Sequence, residues 1–142
     1  MNRWLIAGGV LSAIAAALHL AIIVGGPDWY RFFGAGEEFA RAAAAGAAWP
    51  GLITAGIASV LALWSAYAFS GAGLIPRLPL LRLGLVVISA IYLLRGLFLC
   101  PGVVIGDSFT IWSSLIVLVY GAAYAIGTWR GWASLGQGAR AS

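Results

Sequence analysis

The sequence predicts an all-α fold, an integral membrane four-helix bundle with a short interfacial helix in its first, outer loop. Three observations carry that reading. The 142 residues are 63% hydrophobic and only 8% charged, a composition outside that of soluble globular domains. Four apolar runs, 4–24, 50–69, 80–99 and 109–129, each approach the roughly 20 residues that a helix needs to cross a hydrocarbon core about 30 Å thick. The connectors between the runs hold all four acids and most of the helix-breaking residues. With four crossings nearly the whole chain is used, so residues 1–142 form a single membrane domain.

The first run follows Asn2 and Arg3 and extends from Trp4 to Val24. It is too long for the apolar core of a secretory signal, and no small-x-small cleavage motif precedes a polar stretch, so it is expected to be a retained first helix. The loop 25–48 comes next. Its Trp29, Tyr30, Phe32 and Phe33 are residue types that settle at a membrane interface. Glu37 and Glu38 suit the first turn of a short helix after Gly36, with Arg41 four residues from Glu37 for an ion pair. Trp49 and Pro50 open the second spanning helix, proline being tolerated in a first turn. Gly71 and Gly73 are expected to end it, and Pro76 and Pro79 to prevent its continuation. The third helix should stop at Cys100-Pro101. A short loop to Ser108 would then make the third and fourth helices antiparallel neighbours. The small, polar tail from Gly131 to Ser142 is expected to fray.

Charge sets the orientation. All eight basic residues are arginine, a usage that fits a GC-rich bacterial genome, and the formal net charge is +4. Arg3, Arg77, Arg82, Arg130 and Arg140 fall on one side of a four-span chain. Asp28, Glu37, Glu38 and Asp107 fall on the other, with Arg31 and Arg41. Cytoplasmic flanks retain positive charge, so the expected location is a bacterial inner membrane with both termini in the cytoplasm. The arginines are scattered singly among apolar runs, which argues against a nucleic-acid partner.

Few residues can carry chemistry. Arg95 lies inside the third run near its outer end, where a charge costs up to roughly 2.5–3.5 kcal/mol at the centre of the bilayer. Tyr92 and Ser89 share its face. It could snorkel to the headgroups, pair with Asp107 or a first-loop acid, or bind an anionic group for which a planar guanidinium is suited. His19 is the single histidine and shares a face of the first helix with Ser12, Ala15 and Ala16. It suits a structural hydrogen bond or proton exchange. One histidine and one cysteine, Cys100, exclude a disulfide, a CxxC pair, a bis-histidine haem or a metal site within one chain, and no cofactor is expected. Helix four offers Tyr120 and Tyr124 on a face with Ser113 and Gly127 as an inner lining. The candidate ligand-binding set is His19, Arg95, Tyr92, Asp107, Tyr30 and Glu37, gathered near one leaflet under the first loop.

The stretch His19-Leu20 followed by Trp29-Tyr30-Arg31-Phe32-Phe33-Gly34-Ala35-Gly36-Glu37 resembles small uncharacterised four-helix proteins of bacterial inner membranes, a resemblance that implies no activity. Other four-helix classes fit less well. Small multidrug transporters carry a glutamate in helix one where this chain has His19, vitamin K reductase-like enzymes need cysteine pairs, and the arginine-bearing helices of membrane glutathione transferases have no counterpart. Two expectations remain. One is a protein that binds a lipid or a small hydrophobic anion at the outer polar cluster, or is accessory to a larger membrane assembly. The other is a small transporter, acting as an oligomer, that uses His19 and Arg95. An enzyme ranks behind both, because no nucleophile, base and orienting group can be placed together. Expected partners are membrane lipids, a second copy of the chain or another membrane protein.

Overall fold

The computed structural model describes residues 1–136. Among these the regular structure is all helix, with no strand: α1 at Arg3–Gly25, α2 at Pro27–Phe32, α3 at Glu37–Ala44, α4 at Trp49–Ala72, α5 at Leu81–Gly96, α6 at Leu99–Ile105, α7 at Ser108–Arg130 and α8 at Trp132–Leu135. Four stretches are long and apolar enough to cross a membrane: Arg3–Gly25, Trp49–Ala72, Leu81–Ile105 and Ser108–Arg130. Only 22–28% of the residues in their most apolar windows are buried within the protein. Leu, Ile, Val and Trp side chains along all four stand exposed. So large an apolar surface is ruinous in water and ordinary against lipid tails. By length and composition the chain is a multi-pass membrane protein.

Two boundaries differ from the sequence reading, each for a local reason. Helix α4 runs through Gly71 and stops at Ala72, because Gly73 is the residue that takes the left-handed conformation, at φ +82°. The chain also does not form a loop at Cys100-Pro101. Proline lacks an N–H and its ring crowds the carbonyl four residues back, so the helix breaks one turn earlier, at Leu97 and Phe98. Both keep right-handed backbone angles. Pro101 then falls in the first turn of α6, where its missing donor costs nothing. The helical path therefore continues to Ile105, and the turn into α7 needs only Gly106, left-handed at φ 76°, and Asp107.

The chain divides into two compact units, Met1–Leu11 with Trp64–Ser142, and Ser12–Leu63. The first is a four-helix bundle built from the opening of α1, the end of α4, and α5 to α8. Its helices approach closely because glycines face large side chains. A methyl group at Gly8 would lie 2.9 Å from the Tyr124 ring, one at Gly96 would lie 2.3 Å from Leu118, and one at Gly127 would lie 2.7 Å from the Leu5 side chain and 3.0 Å from its backbone nitrogen. Leu5, Leu85 and Tyr124 are fully enclosed. Polar ties cross the same seams. Ser65 Oγ donates to the Gly9 carbonyl at 2.8 Å, Tyr124 to the Trp64 carbonyl at 3.0 Å, and Asn2 Nδ2 to the Gly127 carbonyl at 2.6 Å. Trp64, Tyr120 and Tyr124 surround Tyr92 with ring centroids 4.9 to 5.5 Å apart.

At the arginine-rich end of this unit the tail is held where fraying was expected. Arg77 donates to the carbonyls of Ser134 and Leu135, and Arg82 donates to the Trp132 carbonyl while its guanidinium sits 4.7 Å from the centre of the Trp132 ring. Free carbonyls at a helix C-terminus attract cations, and two arginines supply them to α8. The remainder of the expected frayed tail, 137–142 with Arg140, lies outside the described residues.

The second unit holds the first loop. The predicted short helix after Gly36 is present as α3, and α2 precedes it to make a helical hairpin. Ile22, Tyr30 and Ala40 are buried together, with Phe33, Phe39 and Ala43 packed against them. Gly36 takes φ +97° before α3, a conformation glycine adopts without strain.

Gly127→Ala should therefore destabilise the protein by about 1–3 kcal/mol, since the obstacle includes Leu5 backbone and overpacking of this kind costs that much. Gly56, on α4, has open space where a Cβ would stand, so Gly56→Ala should stabilise by about 0.5–1 kcal/mol. Thermal unfolding midpoints in detergent micelles measure both.

Candidate functional site

The six candidate residues fall in both compact units: Tyr92, Arg95 and Asp107 in the first, His19, Tyr30 and Glu37 in the second.

Arg95 occupies the last turn of α5, where a cation complements the negative end of the helix dipole. The residue is exposed, and its side chain reaches across to α7. Nη1 donates to the Ser114 hydroxyl at 3.2 Å and Nη2 to the Ser113 hydroxyl at 3.4 Å. The guanidinium carbon lies 5.5 Å from the centre of the Phe98 ring. Ser114 is completely buried, so the guanidinium is anchored to a fixed point. These serines were not assigned to Arg95 from sequence. The available signal was a serine pair one turn inside the helix that the short connector forces alongside α5.

Asp107 does not pair with Arg95. It caps α7, accepting from the backbone N–H of Phe109 at 3.3 Å and of Thr110 at 3.1 Å, and from the Thr110 hydroxyl. The Thr110 hydroxyl above all, helped by the two N–H groups, holds its carboxyl below the usual carboxylate range although desolvation opposes the shift. A residue just before a helix, with orphan N–H groups ahead of it, is better placed to cap than to reach a neighbouring helix. Within its own unit Arg95 consequently has no carboxylate partner among the described residues. Tyr92, one turn back on α5, packs into the aromatic cluster and is buried.

In the second unit, His19 Nδ1 lies 2.7 Å from the Ala15 carbonyl. A carbonyl can only accept, so Nδ1 carries a proton and donates it to Ala15. Tyr30 is 2% exposed and shares a 3.2 Å hydrogen bond with the Thr54 hydroxyl, which also bonds to the Pro50 carbonyl at 2.8 Å. Glu37 belongs to an ion-pair relay at the hairpin surface. Arg31 joins Glu37 at 2.9 Å and Asp28 at 3.0 Å, and Arg41 adds the predicted contact to Glu37 at 3.4 Å. The hydrogen bond from Arg31 lowers the Glu37 carboxyl below its ordinary range, and the same bond raises Arg31. Tyr30 and Glu37 thus fasten the hairpin from its inner and outer faces.

Among the described residues no three His, Cys, Asp or Glu side chains gather to hold a metal ion, and Cys100 is exposed with a free thiol. The chain matches no known family model, and neither curated proteins nor solved structures include a significant match.

Tyr30→Phe should cost about 1 kcal/mol, the usual net value of one buried hydrogen bond, read as a lowered thermal midpoint. Glu37→Gln should lower the midpoint at neutral pH and speed tryptic cleavage after Arg31 and Arg41. Folding depresses the Glu37 pKa, so its contribution is present above the ordinary carboxylate range and is lost as pH falls through the folded value. The midpoint difference between wild type and Glu37→Gln should therefore shrink toward zero on acidification. A difference that persists in acid would show that charge plays no part.

Proposed function

We propose that this chain is a bacterial inner-membrane protein with both termini in the cytoplasm, and that it holds the anionic group of a lipid or small hydrophobic anion at Arg95, near the outer leaflet. One observation carries the reading: a guanidinium in an otherwise apolar helix end rests on two neutral hydroxyls, while the nearest acid in sequence, Asp107, is committed to a helix cap. Serine hydroxyls position a guanidinium but cannot neutralise it. A carboxylate or phosphate can, and a planar guanidinium presents paired N–H groups to either. Phe98 beside the guanidinium offers an apolar flank for the first carbons of such a ligand.

The orientation rests on charge. Arg3, Arg77, Arg82 and Arg130 stand at one end of the spans with no acid among them, the asymmetry that cytoplasmic flanks carry. Arg95 then faces the periplasmic leaflet.

The test is native mass spectrometry of protein gently extracted from membranes containing phosphatidylglycerol. Arg95→Gln should retain one anionic lipid fewer per chain than wild type, because affinity at that one site falls roughly tenfold with the loss of about one charge-assisted interaction, and Arg95→Lys should fall between them. Equal retention by wild type and Arg95→Gln would end the proposal.

A further inference from the structure

The arginine-rich end of the first unit carries a feature that topology alone does not require. An open cavity of about 440 Å³ lies between the start of α1 and the end of α7, and Arg3, Trp4, Arg130 and Ser134 line it. That volume is within the roughly 300–1,000 Å³ of ordinary ligand sites. It is large enough for a phosphate and its glycerol and too small for a whole lipid.

The neighbouring polar groups are already spent. Asn2 gives its amide to Gly127 and accepts from the Leu5 N–H, and the Ser134 hydroxyl donates to the Gly131 carbonyl. Arg77 and Arg82 are committed to the carbonyls of α8. Arg3 and Arg130 differ: neither guanidinium takes part in any hydrogen bond or ion pair among the described residues, although both face the same cavity. Two like charges at one cavity repel. The positive-inside bias accounts for their side of the membrane but not for their convergence from helices at opposite ends of the sequence. An anion between them converts the repulsion into two charge-assisted contacts. Trp4 at the rim is the residue type that settles at headgroup depth.

We propose that this cavity is a second anion site, separate from Arg95, in which Arg3 and Arg130 clamp the phosphate of an anionic lipid headgroup or a free phosphate of the same chemistry. A zwitterionic headgroup is disfavoured there, because its ammonium group would enter a field made by two guanidiniums.

Native mass spectrometry separates the two sites by count. Protein from bilayers of phosphatidylcholine with phosphatidylglycerol should keep phosphatidylglycerol at the Arg3–Arg130 cavity whether or not Arg95 is replaced. The double variant Arg3→Gln/Arg130→Gln should lose that retained lipid, with roughly a tenfold decrease for each arginine removed. Arg41→Gln, an exposed arginine of the other unit, should behave as wild type. Millimolar inorganic phosphate offered to delipidated protein distinguishes the sources: binding that needs both arginines assigns the site to a soluble phosphate, and binding of lipid only assigns it to a headgroup. Each single substitution should lose part of the retention, which keeps the test decisive if the double variant does not fold. Equal retention by wild type and the folded variants, or retention of phosphatidylcholine as readily as phosphatidylglycerol, would overturn the proposal.

Discussion

Hydrocarbon cannot hydrogen-bond, and that single fact organises this molecule. Every backbone N–H and C=O placed in a bilayer has to find its partner inside its own segment, which leaves the helix as the available shape for a chain of this size. The connectors obey the same rule. Gly106 and Asp107 turn the chain in two residues, with Asp107 satisfying the first donors of α7, and Ser70 bonds both the Pro76 carbonyl and the Leu78 N–H to close the turn between α4 and α5. Where a proline removes a donor, at Pro101, the helix breaks one turn earlier and then resumes.

Once the helices exist, apolar burial no longer holds them together, because lipid tails are as good a solvent for leucine as the bundle interior is. Close approach and a few interhelical hydrogen bonds take over. Glycines at 8, 96 and 127 bring backbones within reach of large side chains on neighbouring helices. Ser65 and Tyr124 place hydroxyls on carbonyls of other helices. The bundle of the first unit is thus held by fit more than by hydrophobicity, which is why a single methyl at Gly127 matters.

The arginines mark the places where this economy departs from simple packing. Arg77 and Arg82 have structural employment, capping the carbonyls of α8, and Arg31 and Arg41 fasten the hairpin through Glu37. Arg95 rests on neutral hydroxyls. Arg3 and Arg130 share a cavity and have no described partner. A charge kept beside an apolar phase without a described protein counter-ion is the feature on which both proposed anion sites rest, and the two ends of the first unit each present one.

Composition and run length alone determined that the chain is all-α, that it has four spanning helices, and roughly where they lie, although the third runs on past Pro101 to Ile105, because the thickness of a bilayer dictates how many apolar residues must be consecutive. Local chemistry also made the α3 helix and its Glu37–Arg41 pair readable, since both depend on residues four positions apart. The sequence could not reveal which partner each polar group takes. Asp107 choosing a cap over Arg95, Arg95 choosing Ser113 and Ser114, and the tail docking on Arg77 and Arg82 all depend on which helices stand side by side and at what rotation. Those are decided by glycine contacts and carbonyl positions far apart in the chain, and only the tertiary structure brings them together.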